Sequence, residues 1–336
     1  MRSHYLPLLL PLLSTLTTAL YPTKQIYQFP VGTWLENLVI RPCGSILITS
    51  LTSPSLYQIN PFTTPAQEIL IHNFTDATWT VGITQTTPDT FYVIVANGSL
   101  QTLSVAPGSN RLYRISFPPP SPHNPNPNVE VSLAATLSGA RLLNGATTLT
   151  PNEILTADSV LGIIWLTDIT TGSSHPAFSD PLMLPTAAPP GIGINGIKIL
   201  PGIPSYLYFT NSALALLAKI PLHPNNTAAG PAEIVTHAPA GTSYDDFTFD
   251  IFGNIAFLAT SQGNSIAEVK TRNGKQEIVA GNVNSTKIAE PTSAQLGGDG
   301  VLYVTTAGGL AVPVVVGGEE VRVGGQLVAV EVGLGV

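Results

Sequence analysis

Four residues with oxygen-bearing side chains occupy equivalent places in a repeating pattern: Glu36, Asn144, Asn195 and Asp245. Each opens a strand-like run, and the separations are regular: 195 − 144 = 51 and 245 − 195 = 50, while 144 − 36 = 108 spans two periods and an insertion. Carboxylates exchange protons with a reacting group, and side-chain amides hydrogen-bond a carbonyl oxygen. Carboxylate and amide oxygens together are also the donors a hard cation prefers. Asn-Gly and Asp-Asp equally begin strands after turns, so their significance depends on whether the fold brings them together.

The elements that would do so are short β-branched runs bounded by Gly, Pro, Asn and Asp, with almost no helical periodicity beyond the amino terminus. A unit of an apolar strand, a turn, a second strand ending in Thr or Ser, and a third strand recurs six times, starting near residues 36, 81, 144, 195, 245 and 293. A period near 50 residues matches four-stranded blades around an axis, so the fold class expected is all-β, a six-bladed β-propeller of antiparallel blades over residues 21–336. The innermost strand of each blade begins at one end of the channel, which predicts that Glu36, Asn144, Asn195 and Asp245 converge there. The segment TKQIYQF, residues 23–29, is expected to close the ring as the outer strand of the last blade, because an open blade would expose a strand edge. The proline-rich stretch 118–128 cannot enter a ladder and is expected to be an exposed loop of the second blade.

The amino terminus reads as a secretory signal peptide over residues 1–20, with Arg2 before an apolar run from Leu6 to Leu13 that is far too short to span a membrane. Sequons at Asn73, Asn97, Asn225 and Asn284 fit a glycoprotein that is secreted or kept in endomembrane vesicles. A single cysteine, Cys43, rules out an intramolecular disulfide framework, so stability must come from the core. With 13 Lys+Arg against 20 Asp+Glu and a mean hydropathy of +0.28, no basic patch can be drawn, and nucleic acid is not an expected partner. A monomer acting on small molecules is expected. Trp34 and Trp79 precede the first strands of blades one and two, and Tyr244 and Phe247 flank Asp245; these aromatics suggest walls for a flat, apolar guest, with inter-blade packing as the competing role for each Trp. The histidines are scattered through loops, and Ser45, Ser159 and Ser261 lie in no G-x-S-x-G elbow.

At the four polar positions, and in phrases such as LTADSVLGIIWLTDITTG, the chain resembles the gluconolactonase and regucalcin superfamily of propellers. That resemblance implies a Ca²⁺ or other divalent cation site formed by Glu36, Asn144, Asn195 and Asp245, in a lactonase or esterase. The chain departs from the pattern at Tyr244-Asp245-Asp246-Phe247, where the family usually shows Asp-Gly, and at Val81-Gly82, which offers no ligand. The leader, the low charge and the E-N-L-x-x-R start of blade one resemble more closely the fungal hetero-Diels-Alderases of tropolonic sesquiterpenoid pathways, which are similar to those propellers. This second resemblance implies a pericyclase with no required cofactor. It would couple an o-quinone methide, formed by water loss from a hydroxymethyl tropolone of polyketide origin, to an alkene of a humulene-type terpene. Glu36 or Asp245 would then move protons, and Asn144 or Asn195 would hold the carbonyl oxygen. A third possibility is a propeller that binds a ligand and turns over nothing.

Overall fold

A computed structural model of the chain describes residues 20–119, 128–187 and 191–333. The expected leader, apart from Leu20, and most of the proline-rich stretch, His123 included, lie outside the described residues.

Six four-stranded antiparallel sheets stand in a ring, each inner strand against the next. The inner strands are Leu35–Ile40, Trp79–Thr87, Leu143–Thr150, Ile194–Leu200, Phe247–Phe249 and Pro291–Leu296. Strand Thr23–Val31 pairs antiparallel with Gly324–Glu331 and forms the outer edge of blade 6, so the two ends of the chain share one sheet. Two short hairpins interrupt the regular pattern. One, Gly98–Ser99 with Ser104–Val105, is inserted in blade 2; the other, Val314–Val316 with Glu319–Val321, in blade 6.

Position in the blade explains the sequence pattern. Second strands such as Ile46–Ser50 are sandwiched between neighbouring blades and are buried at every residue, so they read as continuous apolar runs ending in Thr-Ser. Outer strands such as Glu68–Asn73 are largely exposed and tolerate charge. The core is divided into six clusters, one at each blade-to-blade seam. At the seam of blades 3 and 4, for example, Leu155 and Ile164 meet Ile197, Leu207 and Phe209. A closed ring of such seams supplies the apolar burial that an open sheet of this size would lack, which is how the fold holds without disulfides. Cys43 is exposed in the first hairpin turn of blade 1.

Candidate functional site

Three of the four polar residues, Glu36, Asn144 and Asn195, lie at a backbone irregularity that recurs from blade to blade, and Asp245 stands at the equivalent place in blade 5, just ahead of strand Phe247–Phe249. In blade 1, Leu35 pairs with Ser50 and Leu38 with Ile48, so the inner strand advances three residues while its partner advances two. The same one-residue β-bulge falls between Thr80 and Ile83, Leu143 and Ala146, and Ile194 and Ile197. The extra residue breaks the alternation of side chains, so two consecutive residues of one strand turn toward the axis. Hydroxyls of the second strands fix the bulges of the following blades: Thr49 Oγ1 donates to the Val81 carbonyl and Thr210 Oγ1 to the Asp245 carbonyl, both at 2.5 Å.

The first residue of each bulge faces a cavity of about 710 Å³ at one end of the channel. Glu36, Asn144, Asn195 and Asp245 form its floor, with Val81 as the apolar fifth member. Trp34 and Trp79 both line it, whereas Tyr244 and Phe247 do not. Both of these aromatics are fully buried in the seam of blades 4 and 5, where Phe247 packs edge-on against Phe249 and the Tyr244 hydroxyl donates to Gln276 Oε1. The expected aromatic wall at 244 and 247 is therefore corrected to core packing. Side chains on either side of an axis-facing bulge pair point into the seam.

The second residue of each bulge decides what lies below. Blades 2, 3 and 4 carry glycine there. A Cβ on Gly145 would stand 2.4 Å from the Asn195 carbonyl oxygen, and one on Gly196 would stand 2.4 Å from Asp246 Oδ1. Blades 1 and 5 carry Asn37 and Asp246 instead. Asp246 accepts from Asn37 Nδ2 at 2.9 Å and from Lys198 Nζ at 2.7 and 2.9 Å, and Ser293 completes the cluster. This plug separates the upper cavity from a smaller, polar one of about 310 Å³ at the other end of the channel. Sequence reasoning did not assign Asn37, Lys198 and Ser293 to the axis; the available signal was the exchange of glycine for Asn37 and Asp246 at the second bulge position.

A further acid, Glu290 of blade 6, also lines the upper cavity. Its carboxylate accepts from the backbone N–H groups of Ala311 and Val312, at 3.1 Å each, and so ties that loop to the rim. Glu290 preceded the last repeat by too little to stand out from a loop residue. It has a left-handed backbone, as do Leu103, Ala215 and Ser261. These four cavity-lining residues are a majority of the seven non-glycine residues with positive φ among the described residues, and such conformations persist where surrounding structure enforces them around a site.

Crowding of acids in a buried floor alters their proton affinity. Burial, reinforced by Asp246 and Glu290, pushes the Glu36 carboxyl up to about 7, although the Trp34 indole N–H donating at 2.6 Å favours the ionised form. Asp245 is held well above the usual carboxylate range by burial and then by Glu36 and Asp246. Burial raises Glu290 to about 7 against the pull of its backbone donors. Asn195 donates to Ser212 Oγ at 2.9 Å, while its buried Oδ1 has no hydrogen-bond partner.

Among the described residues, no group of three or more His, Cys, Asp and Glu is arranged to hold a metal ion. Two carboxylates and two amides, one of them Asn195 with its Oδ1 unpartnered, nevertheless form an oxygen set of the kind that fits a hard divalent cation.

No protein-family model matches the chain. Two curated proteins provisionally named as hetero-Diels-Alderases are similar to it. The one from Phoma sp is 26% identical over 313 residues, covering 84% of this chain and 86% of its own length. The one from Sarocladium schorii is 26% identical over 321 residues, covering 84% and 78%. Solved structures share the fold: a luciferin-regenerating enzyme (TM-score 0.67, 13% identity, 94% of this chain and 96% of that one) and regucalcin from Agrobacterium tumefaciens (0.60, 15%, 94% and 97%). A structure provisionally described as a gluconolactonase matches as well (0.56, 13%, 93% of each chain). The chain is thus similar in sequence to proteins named as hetero-Diels-Alderases and has the fold of the regucalcin- and gluconolactonase-type propellers.

Proposed function

We propose that this chain is a hetero-Diels-Alderase that forms a tropolone o-quinone methide from a hydroxymethyl precursor and joins it to an alkene of a humulene-type terpene. The observation that carries this reading is the similarity to the two relatives over 84% of the chain; both support an enzyme and a Diels-Alderase role. The cavity agrees in chemistry, since a pericyclic step needs no nucleophile. Holding two reactants in reactive geometry can supply roughly 7–11 kcal/mol.

Two crowded acids with raised proton affinity retain a proton that isolated carboxylates would lose near neutrality. In the proposed dehydration, the protonated member of the Glu36–Asp245 pair gives its proton to the hydroxymethyl oxygen, and the C–O bond breaks as water leaves. The ionised member takes the proton of the tropolone hydroxyl, which restores the pair. Asn144 holds the carbonyl oxygen and lowers the acceptor orbital, while the Asn195 amide donates to Ser212 and to Asp245. The exocyclic carbon then bonds to one alkene carbon and the carbonyl oxygen to the other, giving a dihydropyran.

The test is to incubate the purified protein with a hydroxymethyl tropolone and humulene, with and without EDTA, and to resolve the adducts by chiral chromatography. One stereoisomer formed faster than background is expected, with or without chelator; no enhancement overturns the reading. A second reading, a calcium-dependent lactonase or esterase, is favoured by the unpartnered Asn195 Oδ1 beside two carboxylates. Glu36, Asn144, Asn195 and Asp245 would hold the cation, which would polarise a carbonyl and activate water. Hydrolysis of a lactone panel that stops on adding EDTA would favour it. The leader and the four sequons support passage through the secretory pathway in either case.

A further inference from the structure

The upper cavity is chemically divided across the channel axis. All of its aromatic and leucine side chains, Trp34, Leu51, Trp79, Leu103 and Leu142, come from blades 1 to 3 and the connections that lead into them. All of its hydroxyls and its one glutamine, Ser212, Thr242, Ser243, Ser261 and Gln262, come from blades 4 and 5 and the connection between them. Since the blades follow one another around the ring, these are facing walls.

Two separate features build the apolar wall. Blade 2 places Val81 at the floor position where blades 1, 3, 4 and 5 place an oxygen-bearing side chain. Blade 2 also carries the short hairpin whose Gly98 lies against the Trp79 ring, where a Cβ would come within 2.1 Å of Cδ2. The turn of that hairpin carries Leu103 to the cavity in a left-handed backbone conformation, φ 45°. A leucine there costs backbone strain and leaves part of its apolar surface open to the cavity, where an apolar ligand would cover it. On the opposite wall Ser243 Oγ donates to Gln262 Oε1 at 3.0 Å, Ser212 accepts from Asn195, and Asp245 lies below. That wall offers hydrogen bonds to an oxygenated ring, and its apolar members, Ile192, Ala213 and Ala215, include no aromatic or leucine side chain.

We infer that the cavity comprises two half-sites, an apolar one on blades 1 to 3 that takes the hydrocarbon alkene and a polar one on blades 4 and 5 that takes the oxygenated heterodiene. This assignment rests on the cycloaddition reading for the identity of the two reactants. It makes Leu103 and Gln262 specificity-determining residues, one for each partner. It also fixes the face each reactant presents, because the new bonds must form across the axis above Glu36 and Asp245.

The test measures each reactant alone, so that it does not depend on turnover. Humulene and a hydroxymethyl tropolone are each bound to wild type, Leu103→Ser and Gln262→Leu, and free ligand is measured by equilibrium dialysis. Both substitutions are on partly exposed rim residues, and retention of the wild-type melting transition shows that the blades are intact. Leu103→Ser is expected to weaken humulene binding about tenfold and tropolone binding less than about twofold, with the reverse for Gln262→Leu. Equal loss of both ligands in both variants, or no loss in either, overturns the half-sites even if wild type forms the adduct. The expected split without any adduct from wild type overturns the cycloaddition reading and leaves the half-sites standing. Failure of wild type to bind either ligand overturns both.

Discussion

Asp245 and Asp246 are consecutive in sequence and face opposite compartments of the channel: Asp245 lines the upper cavity, while Asp246 lies in the plug beneath, held by Lys198 at 2.7 Å. Only 3% of the Asp246 side chain is exposed, against 26% for Lys198, so the carboxylate depends on that partner. Lys198→Met is expected to destabilise the protein by about 3 kcal/mol, because it strands a buried charge. The double variant Lys198→Met/Asp246→Asn should recover part of the loss. Urea unfolding of both variants and of Asp246→Asn alone checks this, and a double-variant cost equal to the sum of the two single costs would show that the pair is not coupled.

Gly145 stands where the neighbouring blade's backbone comes closest. Gly145→Ala must move the Asn195 carbonyl, a rigid backbone group 2.4 Å from the new methyl, and also crowds Gly196 Cα at 2.9 Å. A loss of about 1–3 kcal/mol is expected, with a melting temperature lower by several degrees. Gly298→Ala, where a Cβ would meet nothing within 4 Å, is the control and should be close to neutral.

The proton affinity of Glu36 gives a direction for activity. Its carboxyl is pushed up to about 7 by burial, so the proton-donating form is lost as pH rises through that value. Adduct formation from the hydroxymethyl precursor should therefore fall on the alkaline side. Glu36→Gln should lower the rate by about 10²–10⁴ and remove that limb of the profile. A pH–rate series on both proteins decides it, and an unchanged limb in the variant would assign the titration to another group.

Stability should follow Glu290. Its folded value of about 7 lies above the ordinary value of 4.5, so the folded protein binds more protons than the unfolded chain between these values. This contribution is fully present below about 4.5 and is lost as pH rises through about 7. Melting temperatures of wild type and Glu290→Gln at pH 5 and pH 8 test this. The glutamine variant should show the smaller difference.

Glycosylation is checked by secretion from a eukaryotic host. The sequon residues Asn73, Asn225 and Asn284 are exposed, whereas Asn97 is half-buried beside the blade 2 hairpin. Asn→Gln at each of the three exposed positions should make the secreted protein one glycan lighter by mass spectrometry, with the smallest occupancy at Asn97. Retention of an unprocessed leader would count against the secretory route.

Much of the architecture was legible because burial at blade seams leaves a strong period. Runs such as ILITS and the turns between them mark each blade, and the regular spacing of Asn144, Asn195 and Asp245 placed them at one end of the channel. The position of the two tryptophans was legible for the same reason, since Trp34 and Trp79 lie two residues before Glu36 and Val81 at the channel mouth, although Trp79 is also buried in the seam core. Tyr244 and Phe247 were not, because adjacency to Asp245 in the chain says nothing about direction once a bulge has broken the alternation of side chains. Glu290 and Leu103 were also missed. Both reach the cavity through left-handed backbone conformations in connections, outside the repeating strands.

The sequence by itself determined the number of blades, the closure of the ring by the amino-terminal strand and the convergence of Glu36, Asn144, Asn195 and Asp245, because these follow from local periodicity and a fixed repeat length. Only the tertiary structure decided that the channel is plugged by Asp246 and Lys198, that Glu290 joins the rim, and that the aromatic and leucine side chains of the cavity stand on one side and its hydroxyls on the other. Those features depend on contacts between residues 48 to 209 apart in the chain, and on the one-residue bulges that set the direction of each side chain, neither of which a linear pattern encodes.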